Sequence, residues 1–456
     1  MLDPKLIREN PDNVRRGVKA KNLNPKLVDD FLALDEEWRK LTKESEDLRA
    51  EQKRLGEAKA RQKFSNKDSE KSIQGEPESR TESHREDLRL EYSEGISGAW
   101  AKDVEKAKKL KDEIKNLEEN LAKTTQNRDE LILEFPNLPF DDVPVGKDET
   151  GNKVLREVGK KPDFNFEPKD YLTLAKELDL IDVEKAGEIS GSRFGYIKNE
   201  AVLLEFALID LAMKTLIKEG FSPILPPVLV KPEIIKGMGK HNFVKDKDAY
   251  HIPEDDLYLV GSSEHSIGPY HTNEVLNEKD LPKRYVGFST CFRREAGSYG
   301  KDTKGILRVH QFDKVEMITF ARPEDSEHQH QFMLSIQEKL MRSLELPYRV
   351  MEICTGDMTF ADARQFDIET WIPSENKYRE TQSCSNTTDY QSRGVNTKYL
   401  AKDGRKEFVH MLNGTVFAIG RTLIAIIENH QTKDGKIKIP KVLRDYVGKK
   451  EISPKN

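Results

Sequence analysis

Two stretches near the N-terminus are almost solidly charged, yet each carries one thin line of apolar side chains, and that combination limits what they can become. The first line runs Phe31, Leu34, Trp38, Leu41, Leu48, Leu55; the second runs Val104, Ala107, Leu110, Ile114, Leu117, Leu121, Leu131. Steps of mostly three, four and seven put each set on one face of a helix. A seam this narrow is too thin for a globular core but wide enough to zip two helices together. The expectation is an antiparallel coiled-coil hairpin that projects into solvent. Ahead of it, the first 30 residues suggest a short capping helix and a turn at NLNP. Between the seams, Phe64–Gly98 is rich in Ser, Glu, Lys and Arg and poor in apolar residues. It cannot repay its ordering entropy by burial, so it reads as a largely disordered insertion at the tip, with a short helix around Glu86–Tyr92.

The arm therefore occupies residues 1–134. A stretch with three prolines, FPNLPFDDVPVGKDETGN, opens a linker over 135–159. From 160 to 456 apolar density rises and strand-like segments alternate with helical ones, which marks the domain that should carry chemistry. A net charge of −5 gives no overall pull on nucleic acid, so any RNA surface has to be local, and no DNA partner is expected. No apolar run is long enough to span a membrane, and the opening MLDPKLIRENPDNVRR is not a targeting signal, so a cytoplasmic protein is expected. Cys291, Cys354 and Cys384 have no close metal-ligand pairing and suit a reducing compartment. His265, His310 and His410 lack neighbours at zinc-ligand spacing.

Four polar clusters interrupt the strand-like sequence: GSSEHS (261–266), the hairpin CFRREAGSYGKDTKGILRVHQFDKVE (291–316), YRETQSCSN (378–386) and HMLNGTVFAIGR (410–421). In the hairpin, Arg293 and Glu295 are spaced to share one strand face. An arginine fork clamps phosphate, and a neighbouring carboxylate accepts from an amino group. Arg421 stands at the opening of a helix, where the helix N-terminus adds to the attraction for anions. Glu264, Glu316 and Glu380 fall near three strand ends. Buried together they would repel, so each needs a ligand amine, a magnesium ion or an arginine. Two distant arginines and several carboxylates suit a nucleoside triphosphate with magnesium, although an ion-paired surface hairpin would use the same residues, and no P-loop is present.

The hairpin 291–316 resembles the second signature motif of class II aminoacyl-tRNA synthetases in the form found in seryl-tRNA synthetases. EGFSPILPPVLV is similar to the first motif and LNGTVFAIGRTLIAIIENHQ to the third, while EICTGDMTFADARQFDIETWIPSENKYRETQSCSNTTDYQSR resembles that family's active-site region. The likeness covers nearly the whole chain except roughly residues 64–98. It implies an α+β architecture: an N-terminal antiparallel coiled-coil arm that reaches tRNA, and a catalytic domain built on an antiparallel sheet flanked by helices. It also implies a homodimer joined through the first motif. The implied reaction joins ATP and L-serine as seryl-adenylate, then passes serine to tRNA(Ser), and in this family commonly also to tRNA(Sec).

By the same resemblance, Arg293 faces the α-phosphate and substrate carboxylate, Glu295 the adenine amino group and Arg421 the γ-phosphate. Arg294, Val309, Glu380, Thr381, Gln382 and Ser383 complete the ATP site, with Glu380 and Ser383 also on Mg2+. Ser262, Ser263, Glu264, Arg293, Glu316, Asn413 and Thr415 form the serine site. Arg293, Arg421 and Glu380 carry the chemistry. The sequence departs softly from the family pattern. Ser262-Ser263-Glu264 replaces Thr-Ala-Glu, Thr415 stands where serine is usual, Gln382 where serine is common and Gly394 where a second arginine is common. An alternative is a paralogue that adenylates serine or another small amino acid for a non-tRNA acceptor or a regulatory role. It would be expected to lose an ATP arginine or the arm, and both are present.

Overall fold

The structure is a computed structural model that describes the backbone of residues 1–73, 82–297, 300, 302 and 304–454, with side chains over the same stretches apart from 58–73 and 82–104. The chain forms two units, one of residues 26–134 and one that joins residues 1–25 to 135–456.

The N-terminal segment holds two short helices where one was expected, α1 (Pro4–Glu9) and α2 (Pro11–Ala20). Each has proline in its first turn, where a missing N–H costs nothing, and Asp3 caps α1 by accepting from the Lys5 amide. These residues belong with the larger unit rather than with the arm. Gly17 packs on Leu138, and the Lys21 ammonium donates to the carbonyls of Thr359 (2.8 Å), Phe360 (3.2 Å) and Asp362 (2.6 Å).

The smaller unit is the expected hairpin, α3 (Lys26–Ile73) and α4 (Glu82–Leu133). Trp38 donates to Thr125, and Arg128, Glu118 and Lys106 pair with Asp35, Arg49 and Glu51. Partners fall along one helix as they rise along the other, so the helices run antiparallel. Phe31, Leu110 and Ile114 are buried as seam residues should be. The insertion differs from expectation in part. The stretch around Glu86–Tyr92 is helical as expected, but so is the backbone of the rest of 64–73 and 82–98, within α3 and α4, while 74–81 lie outside the described residues. Glu, Lys and Arg within these stretches are good helix formers.

The larger unit is built on an eight-stranded sheet. In chain order its strands are β1 (Lys153–Val158), β2 (Ser222–Ile224), β3 (Lys283–Phe292), β4 (Gln311–Ala321), β5 (Tyr348–Glu352), β6 (Arg364–Ile372), β7 (Lys377–Asn386) and β8 (His410–Ala418), arranged β1-β5-β6-β7-β8-β4-β3-β2. All neighbours are antiparallel except β2 and β3. The segment 135–159 is no loose linker: Phe135 and Asn137 are buried, and β1 is an edge strand.

Alternation along the strands sorts side chains between two faces. Val315, Met317, Cys384, Leu412 and Val416 join the main core with residues of the helices Glu200–Lys218, Ser326–Ser343 and Ile419–Asn429. Glu316, Ser383, Ser385, Asn413 and Thr415 point the other way, onto a polar face. Glu316 sits mid-strand rather than at a strand end, paired across the sheet with Thr415. Among the described residues, no helix is long and apolar enough to cross a membrane.

Candidate active site

On the polar face a cavity of about 200 Å³ is lined by Arg293, Glu295, Arg308, Val309, Phe312, Lys314, Glu380, Thr381, Ser383, Thr415 and Arg421, together with Ile306, Leu307, Ala418 and Gly420. Arg293 follows β3 directly. Its amide bonds the His310 carbonyl at 3.0 Å, its Nε donates to the Gly261 carbonyl at 3.1 Å, and its guanidinium lies 5.4 Å from the Phe312 ring centre. The fork is thus oriented before any ligand contact. Arg421, in the first turn of the helix Ile419–Asn429, donates to the Glu380 carbonyl at 2.9 Å.

Glu295 does not share a strand face with Arg293. β3 ends at Phe292, and Glu295 has φ of 53°, a left-handed conformation that costs a non-glycine residue about 1 kcal/mol. The turn sends its carboxylate to Arg308, 2.6 Å away. Arg294 also leaves the cavity lining and stacks on Tyr250 at 5.1 Å. Gln382 is buried on the opposite side of β7, where its amide donates to the Val416 carbonyl. Thr381 lines the cavity, but its hydroxyl is engaged with Thr370 and the Ile368 carbonyl. On β7, Ile368 pairs with Gln382 and Glu369 with Glu380, so Thr381 is the extra residue of a bulge that puts Glu380 on the cavity side together with Ser383.

The three carboxylates each have their own cation. Glu380 lies 3.2 Å from Arg421. Glu316 is paired with Lys314 and accepts from Thr415 at 3.4 Å; Thr415 is also 3.3 Å from the Lys314 ammonium and 3.4 Å from Ser383. Glu264, at the start of the short helix Glu264–Ile267, has Lys240 at 3.2 Å on one oxygen. On the other it has Gln391 at 2.6 Å and Asn413 at 3.4 Å. Ser262 accepts from the Glu264 amide at 3.2 Å, and Ser263 is fully buried. Burial pushes both inner carboxyls up. For Glu264, Lys240, His265 and the Gln391 amide outweigh it and hold the pKa at about 2, whereas burial wins at Glu316, whose pKa is raised. The two acids are therefore pushed apart in acidity, Glu264 being the firm anion.

The lysines and Gln391 were missed from sequence. Lys314 is in FDKVE, two residues from Glu316, where strand period alone could have flagged it. Lys240 carries no local signal. Gly394 has a packing cause: a Cβ there would lie 1.8 Å from the Gly237 carbonyl oxygen, so the close helix contact leaves no room for an arginine.

Glu380 and Ser383 present a half-exposed carboxylate and a hydroxyl to the same cavity, a pair of hard oxygens of the kind that suits Mg2+. The crowding of acids nearby agrees: Asp367, the cross-strand neighbour of Ser383, has its pKa raised by burial and then by Glu380.

Residues 1–91 match the family model of the seryl-tRNA synthetase N-terminal domain, and residues 248–430 match that of the tRNA synthetase class II core domain (G, H, P, S and T). The chain is 41% identical over 457 residues to a serine–tRNA ligase of Dictyoglomus turgidum, covering all of both chains. It is 48% identical over 318 residues to one of Sulfurihydrogenibium, covering 70% of this chain and 76% of that one. Among solved structures it is similar to a seryl-tRNA synthetase from Pyrococcus horikoshii complexed with ATP, with a TM-score of 0.86, 37% identity and full coverage of both chains.

Proposed function

The chain belongs to the seryl-tRNA synthetases, and from that premise we propose how its residues divide the work of a serine–tRNA ligase. The protein activates L-serine with ATP and transfers it to tRNA(Ser). The observation that carries the assignment of roles is the convergence of Arg293, Arg421 and Glu380 on one cavity that adjoins Glu316 and Thr415.

A serine carboxylate oxygen attacks the α-phosphorus of ATP; the bond to the β-phosphate oxygen breaks, leaving seryl-adenylate and pyrophosphate. No strong base is required, because the nucleophile is already ionised. Positioning and charge stabilisation carry the step. Arg293 holds the α-phosphate and the substrate carboxylate, and Arg421 the γ-phosphate of the leaving group. Glu295 accepts from the adenine amino group while Arg308 fixes its carboxylate. Glu380 and Ser383 would hold Mg2+, which would supply charge neutralisation to the triphosphate. A ribose hydroxyl at the tRNA 3′ end then attacks the seryl carbonyl and AMP departs.

Glu264, the firmer anion, takes the serine ammonium. Glu316 and Thr415 take the hydroxyl, so glycine and alanine leave buried polar groups unpaired and are rejected. Threonine is refused for lack of room for its methyl group. The arm, residues 26–134, engages the tRNA. The same reading extends to a homodimer, to acceptance of tRNA(Sec) and to a cytoplasmic location. The test is charging of a tRNA(Ser) transcript with labelled serine. ATP-dependent charging supports the reading, and adenylate formation without charging would favour a non-tRNA acceptor.

A further inference from the structure

Behind Glu264 lies a carboxylate that the reaction above leaves unused. Asp362 is buried just ahead of β6; its Oδ2 accepts from the Ser385 hydroxyl at 2.6 Å, whereas its Oδ1 has no hydrogen-bond partner among the described residues. Burial raises the Asp362 pKa, opposed by Lys240, by the Ser385 and Thr359 hydroxyls and by Lys21. Lys21 is not free to move onto Oδ1, since its ammonium is bonded to the three carbonyls of Thr359, Phe360 and Asp362.

Lys240 follows the helix Pro232–Gly237 on a mostly buried side chain, and its ammonium meets Glu264 Oε2 at 3.2 Å. Its segment runs beside that of Asp362: a Cβ on Gly239 would lie 3.5 Å from the Cβ of Ala361. Burial works against that charge, but Glu264 first and Asp362 second outweigh it and raise the pKa. One cation thus feels two carboxylates. Glu264 Oε1 is committed to the amides of Gln391 and Asn413, which leaves Oε2 as the oxygen that can change partner. An ammonium arriving there meets Lys240.

We propose that Lys240 is a positioning residue with two seats, Glu264 Oε2 as seen here and Asp362 Oδ1 once the serine ammonium takes Glu264. This rests on the assignment of Glu264 to the serine ammonium. The exchange replaces one ammonium by another at Glu264 and delivers the displaced one to a buried oxygen that lacks a partner, so each buried carboxylate ends with a cation. It also makes the pocket selective for amines. A hydroxy acid without the amino group cannot displace Lys240, because nothing would replace the charge it gives up.

The test is serine-dependent ATP–pyrophosphate exchange by the full-length protein, with KM for serine and for ATP measured separately. Asp362→Asn removes the second seat and pins Lys240 on Glu264, so KM for serine rises about tenfold while KM for ATP holds, the latter also reporting an intact fold. Adding Lys240→Gln removes the competitor, and the double variant returns KM for serine to within about threefold of wild type. An unchanged KM for serine in Asp362→Asn overturns the proposal, as does a double variant no better than the single, because a merely structural role would add the two lesions. A crystal structure of the wild-type protein with serine needs no variant: Lys240 on Asp362 is expected, and Lys240 still on Glu264 overturns it. A wild-type protein that shows no exchange with serine would instead remove the serine assignment on which the proposal stands.

Discussion

Arg421 grips Glu380 twice, donating to its carbonyl at 2.9 Å and lying 3.2 Å from its carboxylate. One guanidinium thereby ties the first turn of the helix Ile419–Asn429 to β7 and still lines the cavity. A pure tie would be replaceable by lysine, whereas a phosphate clamp needs the planar fork.

Arg421→Ala is expected to lower kcat/KM for serine-dependent ATP–pyrophosphate exchange by about 10²–10³, with Arg421→Lys recovering only a small part. Activity of the lysine variant within a few-fold of wild type would reduce Arg421 to a structural tie.

Thr415 joins Lys314, Glu316 and Ser383 through one hydroxyl. Thr415→Val keeps the shape and removes the hydroxyl. KM for serine should rise about tenfold, the worth of one net hydrogen bond in a buried site, with KM for ATP little moved. Equal rises in both constants would mean that the change distorts the cavity rather than the serine pocket.

Within the arm, Asp35 is fully buried between Arg39 (3.1 Å) and Arg128 (2.9 Å), and Arg128 stacks on Trp38 at 4.4 Å. Asp35→Ala strands a nearly buried guanidinium and should cost the hairpin about 3 kcal/mol. Hydrogen exchange in 26–57 and 105–133 should quicken and KM for tRNA should rise, while pyrophosphate exchange stays within about twofold of wild type. A parallel loss of pyrophosphate exchange would contradict the separation of arm and chemistry.

Acid should weaken the catalytic unit through two histidines. Burial lowers the pKa of His265 to about 3 and that of His330 to about 4, the latter donating to the Cys384 carbonyl at 2.9 Å. The unfolded chain takes up both protons as pH falls through 6.5, and the folded chain refuses them until about 4 and about 3. The stability held in these two groups is full above pH 6.5 and declines below it, by about 2 kcal/mol per histidine at pH 5. Glu205, whose carboxyl pKa burial raises to about 8, works the other way over the same range, so the check is a comparison of two proteins. The change in urea midpoint from pH 7.5 to pH 5 should be less unfavourable in His330→Gln, which keeps an N–H donor, than in wild type, and an identical change in both would contradict it.

What could be read from sequence was local and periodic. The two seams predicted α3 and α4 because a narrow apolar stripe has few other uses, and the polar clusters located Arg293, Glu316, Ser383 and Arg421 near one another. What escaped reading depends on long-range packing. Lys240 looks like any other lysine in a chain with 34% charged residues, and only folding sets it on Glu264. The left-handed turn at Glu295 broke the strand alternation that was to set it beside Arg293, and Arg294 and Gln382, which the family resemblance placed in the ATP site, turn instead to Tyr250 and the Val416 carbonyl. Lys21 could not reveal from its neighbours that it anchors the N-terminal segment on carbonyls some 340 positions away.

The central claim is that this cavity makes seryl-adenylate, and ATP–pyrophosphate exchange with each of the twenty amino acids tests it most directly. Exchange driven by serine, far above threonine, glycine and alanine and abolished in Arg293→Ala, is the predicted result. Exchange led by another amino acid, or none from folded wild-type protein, would contradict the account.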